Sequence, residues 1–135
     1  MRITADTNLL VRVVVHDDEI QARIAFDILS TAELVAVSLP YLCELVRVLD
    51  SVYGYPPSRI ADAIRAIADA ENVATDGAAV EAGLAVLAAG GDFAGGVIAR
   101  AGQGMGGETF VSFDRRAVSR VGRTGMSTKL ADTFQ

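Results

Sequence analysis

A single α/β domain is the fold the sequence predicts, on three observations. Apolar residues make up 51% of the 135-residue chain, enough for a core. Aromatics are only 6% and tryptophan is absent, so that apolar mass is mostly Ala, Val, Leu and Ile, the mixture that fills helices packed on a buried sheet. Finally, four segments place a lone acid where a short strand-like run hands over to a helical pattern.

The elements follow in order. RITADT predicts a first strand stopped by Asp6-Thr7-Asn8, residues that cap helices and form turns. LLVRVVV reads as helix, because Asp6 or Thr7 can cap it and because a parallel sheet needs a crossover next. DDEIQARIAFDILSTA carries acids in its first turn and sets Ile20, Ile24 and Ile28 on one stripe, expected to be buried. ELVAVSLP is the second strand. Ser38 and Pro40 then open a helix over PYLCELVRVLDSVYG, with Leu42, Leu45, Val46 and Leu49 inward and Glu44 off that stripe. Tyr55-Pro56-Pro57 breaks the pattern before SRIADAIRAIADAE, an amphipathic helix with Ile60, Ile64 and Ile67 spaced for burial. NVAT is a short strand and GAAVEAGLAVLAAGG a helix ended by glycine. DFAGGVIARAG is the next helix, weakened by two internal glycines at roughly 1 kcal/mol each. TFVSF is a strand ending near Asp114 and RRAVSRV a last helix. The expected domain is 1–121, with 122–135 a polar tail without periodicity.

Composition narrows the function. The lone Cys43 can form no intrachain disulfide and fits a reducing compartment. As a nucleophile it lacks a base, since the single histidine, His16, lies in the polar run HDDE. No run approaches the roughly 18 to 20 apolar residues that span a bilayer, so a cytoplasmic protein without membrane contact is expected. Net charge is −5, which opposes phosphate binding, yet the late arginines soften that objection. Arg100, Arg115 and Arg116 are the candidates for RNA backbone contact, with Arg120 and Arg123 close behind.

In an open α/β sheet the ligand crevice lies beyond the carboxyl ends of the strands. Asp6 and Asp114 end strands there, while Glu44 and Asp92 lie near the starts of helices that follow such an edge, so all four are expected to converge. Ionised carboxylates held close raise one another's pKa, and a hard cation removes the conflict. Mg²⁺ or Mn²⁺ suits an all-oxygen set, whereas the near absence of His and Cys disfavours Zn²⁺. The chemistry such a site supports is hydrolysis of a phosphate ester by a metal-activated water. Each acid also has a plainer role as a helix cap or an exposed polar side chain. There is no GxxxxGK[ST], and GGDFAGG lacks the preceding strand that a dinucleotide fingerprint needs.

ITADTNLLVR, PYLCELVRVL, GGDFAGGVIA and TFVSFDRRAV, in that order and with similar spacing, resemble the PIN-domain ribonucleases, most closely the VapC toxins of bacterial toxin-antitoxin pairs. The likeness covers the chain to about Val121. It implies a three-layer α/β/α PIN fold with a central, mainly parallel sheet, an Mg²⁺- or Mn²⁺-dependent endoribonuclease, a homodimer, and inhibition by a VapB-type antitoxin that also binds operator DNA, including higher-order complexes there. By position it makes Asp6, Glu44 and Asp114 the metal ligands and catalytic acids. Asp92 assists, Thr7 and Asn8 complete the first motif, and Ser112 supplies the small hydroxyl before the last acid.

One position departs from the family pattern. Where a further acid normally precedes a small residue and an apolar pair, this chain has Gly95. Weak metal binding and much reduced cleavage are expected from that loss. A naturally degenerate member and an inactivating change, acquired because an active toxin kills its host, both account for it; the otherwise intact motif favours the second. The rival function is a non-catalytic PIN-fold module that dimerises and binds an antitoxin without cutting.

Overall fold

The structure, a computed structural model, describes residues 1–134 and is a mixed α/β arrangement. It divides into two compact units, Met1–Asp76 and one that begins at Gly77.

The first unit is built on a parallel three-stranded sheet of β1 (Arg2–Thr4), β2 (Leu34–Ala36) and β3 (Val73–Ala74), in that spatial order. Arg2 pairs with Leu34 and Thr4 with Ala36, while Val35 faces Val73. Backbone bonds from Ala5 to the Ala36 carbonyl (2.9 Å) and from Val37 to the Ala74 carbonyl (2.9 Å) carry both ladders one step further. Parallel neighbours require crossovers, supplied here by helices α1 (Thr7–Val15), α2 (Glu19–Thr31), α3 (Leu39–Ser51) and α4 (Pro57–Ala68). Leu42, Leu45, Val46 and Leu49 are buried along α3 and Ile60 and Ile64 along α4, as their spacing predicts, while Ile67, expected with them, is only half-buried. Asn72, entering β3, donates its side-chain amide to the carbonyls of Leu29 (2.7 Å) and Ala32 (3.0 Å), tying the end of α2 to the sheet.

Helix α2 corrects one expectation. Its inward residues are Ala22 and Ala25, and Ile20, Ile24 and Ile28 stand 76%, 54% and 40% exposed, with Phe26 at 59%. The cause is packing. The alanine face lets α2 approach α1 closely, and the isoleucine row, about 100° or more of arc away on the helical wheel, is left outward. The entry to α2 is fixed by Asp17, which accepts from Arg12 (2.8 Å) and from the Tyr53 hydroxyl (2.9 Å).

The second unit holds α5 (Gly77–Ala88), α6 (Phe93–Gly104), β4 (Phe110–Ser112), α7 (Arg115–Arg123) and β5 (Thr128–Leu130). β4 and β5 pair in parallel, Phe110 with Thr128 and Ser112 with Leu130, and α7 is their crossover. The stretch after Gly122, expected to be an aperiodic tail, therefore contains a strand and a short 3-10 turn (Ala131–Thr133). Val121 is fully buried with Val86 and Ala99, and Phe110 and Met126 pack against them. Among the described residues no helix is long and apolar enough to cross a membrane.

The two glycines of α6 differ in kind. A Cβ on Gly96 would stand 2.3 Å from the Ala82 carbonyl oxygen, so Gly96 allows α5 and α6 to touch backbone to backbone. A Cβ on Gly95 would meet only Val121, at an ordinary 3.6 Å. Gly95→Ala should therefore stabilise the protein by roughly 0.5–1 kcal/mol through helix propensity. Gly96→Ala should instead cost roughly 1–3 kcal/mol by overpacking, and equal urea midpoints for the two variants would contradict this account.

Candidate metal and phosphate site

The parallel ladders bring Asp6 and the start of α3 to one edge of the first sheet. Asp6 follows β1 and occupies the N-cap position of α1: its carbonyl accepts from Leu9 (3.1 Å) and Leu10 (3.3 Å), but its carboxylate makes no capping bond. Next to it Thr7 is buried at 9% exposure, and its Oγ1 has no hydrogen-bond partner. Asn8 is exposed in the first turn. Ser38 occupies the N-cap position of α3 at the end of β2, without a side-chain capping bond, and Glu44 lies six residues on, about 9 Å along the helix.

Glu44 is not a bare ligand. Arg47 grips both of its oxygens from one turn later, with Nε donating to Oε2 at 3.1 Å and an η nitrogen donating to Oε1. The hydrogen bonding of Arg47, and to a lesser degree its charge, hold the Glu44 carboxyl below the usual carboxylate range against the opposing effect of burial. The same pair raises Arg47.

In the second unit Asp92 and Asp114 both act as caps. Asp92 accepts from the Ala94 backbone N–H (3.3 Å) at the start of α6. Asp114 accepts from the N–H groups of Arg116 (3.0 Å) and Ala117 (3.1 Å), both on Oδ1, which leaves Oδ2 unspent. The Ser112 hydroxyl accepts from the Asp114 N–H at 3.0 Å and fixes the turn between β4 and α7. The two caps are tied together, because Arg116 reaches from α7 to donate to the Gly90 carbonyl (2.9 Å), two residues before Asp92. Gly95 lies in the first turn of α6 on the side that meets Val121 of α7.

The three RNA candidates are thus unequal. Arg115 is paired with Asp132 at 3.3 Å, Arg116 is bound to a carbonyl, and Arg100 is half-buried on α6. Sequence reasoning missed the grip of Arg47 on Glu44, although an i, i+3 acid and base on one helix is a readable signal.

The donor chemistry suits a hard cation, since every candidate ligand is a carboxylate and Asp6 and Asp114 keep oxygens that the fold does not use. Among the described residues, however, no group of three or more His, Cys, Asp or Glu side chains gathers in a metal-holding arrangement. Neither a protein-family model nor a curated protein sequence matches the chain.

Two outcomes follow from which carboxylates are spent. Asp114→Ala should cost about 1 kcal/mol as a lost cap, whereas Asp6→Ala should shift stability by less than about 0.5 kcal/mol; equal losses in chemical denaturation would overturn the distinction. The Glu44–Arg47 pair contributes stability above the ordinary carboxylate pKa, lost as pH falls through the lowered folded value. In Arg47→Gln, NMR titration should find the Glu44 carboxyl returned upward towards the ordinary range.

Proposed function

We propose that the chain is a metal-dependent endoribonuclease of the VapC type, a PIN-fold toxin of a toxin-antitoxin pair, with its activity impaired by Gly95. The observation that carries this reading is Asp6, an aspartate at the carboxyl end of β1 and the start of α1 whose carboxylate does no capping work. That carboxylate is exposed and left available to a ligand. Its neighbour Thr7 keeps a buried hydroxyl without a partner, which points the same way.

On this reading the family pattern assigns Mg²⁺ or Mn²⁺ to Asp6, Glu44 and Asp114, with Asp92 in support. When bound, the cation supplies charge neutralisation at a phosphodiester and acidifies a water. Asp6 brings a free carboxylate and Asp114 its unspent Oδ2, while Ser112 holds the Asp114 turn rigid. Glu44 is ionised but must exchange the Arg47 fork for the cation, so Arg47 competes with metal at this ligand. Gly95 lacks the carboxylate that the family pattern puts there, and a Cβ at that position would meet only Val121, at an ordinary 3.6 Å. RNA, a VapB-type antitoxin and a second copy of the chain are the partners of this reading, in the cytoplasm.

A second reading, a non-cutting module that dimerises and binds antitoxin, is favoured by the outward row of Ile20, Ile24 and Ile28 and by exposed Phe26 on another face of α2. Phe26 also borders a groove of about 520 Å³ lined by Leu10, Val13, Val14, Leu29 and Tyr55, with Arg59 stacked 3.8 Å over the Tyr55 ring at its rim. Such a groove suits the apolar face of an amphipathic helix that carries an acid for Arg59.

The two readings separate in one assay. With Mn²⁺ and a structured RNA, Gly95→Asp should raise cleavage on the order of 100-fold or more, and adding Asp6→Ala should abolish it. Wild-type cleavage equal to that of Gly95→Asp would remove the role given to Gly95, and silence of every variant would leave the binding module.

A further inference from the structure

We infer that one face of α7 is a contact surface for the phosphate backbone of single-stranded RNA, formed by Arg116, Arg120 and Arg123. The proposal deepens the nucleic-acid reading above and rests on it for the identity of the polyanion, but it does not require cleavage.

Helix α7, RRAVSRVGR, has four arginines and no acid in 9 residues, within a chain whose net charge is −5. Helical geometry gathers Arg116, Arg120 and Arg123 within about 60° of arc, along about 10 Å of axis, away from buried Val121. Arg115 falls outside that row and is neutralised by Asp132. Among the described residues no carboxylate pairs with the other three.

The row is also held in place. Arg116 donates to the Gly90 carbonyl. The stem of Arg120 lies against the Gly90-Gly91 turn: a Cβ on Gly91 would stand 2.6 Å from the Arg120 Cβ, and Gly90 has φ +87°. Only a turn without side chains admits the stem there. The Arg120 Nε is buried and finds no acceptor, and no other hydrogen bond or ion pair engages the guanidinium among the described residues. A guanidinium positioned by packing loses little freedom on meeting a phosphate, and its fork matches phosphate oxygens.

A linear row of cations fits a linear polyanion. A protein partner would need an exposed apolar anchor among the charges, and α7 itself carries no exposed large apolar side chain, Phe113 lying before its start. Asp114 lies at the Arg116 end of the row, on the backbone N–H groups of the first turn, and acids beyond about 8 Å are largely screened at physiological salt.

The test is binding of oligouridylate and oligoadenylate in EDTA across a salt series. Each phosphate contact to a single strand contributes about 0.7 to the slope of log K against log salt. The Arg116→Gln, Arg120→Met, Arg123→Gln triple variant should lose about 2 from that slope, equally for both oligonucleotides, while Arg23→Gln on α2 changes nothing. Arg123→Gln alone, at an exposed helix end where folding is not at stake, should lose about 0.7. An unchanged slope in the triple variant, no binding of either oligonucleotide by wild type, or equal binding of polyglutamate would overturn the proposal. Because EDTA removes the cation, failure of the cleavage test leaves this result standing, and the two ideas fail separately.

Discussion

Parallel strand pairing is the constraint from which the rest of this structure follows. Every neighbouring strand pair in the described chain runs in parallel, so every pair needs a helical return. The helix that directly follows a strand must start at that strand's carboxyl end, as α1 does after β1, α3 after β2 and α7 after β4. Such starts leave unpaired N–H groups that select Asp and Ser. The positions where this fold needs caps are therefore the positions where an α/β protein keeps ligands for a cation. Residue type and placement cannot separate the two roles. Whether the carboxylate is spent on the helix can, and Asp6 differs from Asp114 and Asp92 on that criterion.

Most of the helices were legible because their apolar spacing is clear and their boundaries carry Pro, Ser, Asp or Gly. α3 is the plainest case, with all four predicted inward residues buried. The Asp92 and Asp114 caps could be anticipated as one of two roles. Two features were not legible, for physical reasons. α2 has two faces able to pack, a row of isoleucines and a row of alanines, and hydrophobicity favours the first while close approach favours the second. β5 is three residues, Thr-Lys-Leu, too short to show a period, and it exists because β4 offers it a ladder. Local pattern carries no trace of that partner.

Charge follows the same logic of context. The chain is acidic as a whole, but nearly all of its cationic charge is arginine, and four of those arginines share one short helix. Glu44 with Arg47 and Asp132 with Arg115 show that an arginine and an acid within reach neutralise one another on this surface. Arginines left without such a partner are then the informative ones, since a fold gains little from concentrating like charges along a helix.

Gly95 and Gly96 look alike in sequence, and the structure tells them apart. Gly96 is required by the contact between α5 and α6, where any side chain would strike backbone. Nothing about the fold asks for Gly95: its backbone is helical without a positive φ, and a Cβ there finds open van der Waals contact. It occupies the first turn of α6, where the unpaired N–H groups and the helix dipole favour a negative side chain. A Cβ at 95 would thus be accommodated, with the loss of glycine's flexibility in its favour and, for an acidic side chain, the helix dipole as well. A glycine that weakens its helix and serves no packing need is not explained by folding.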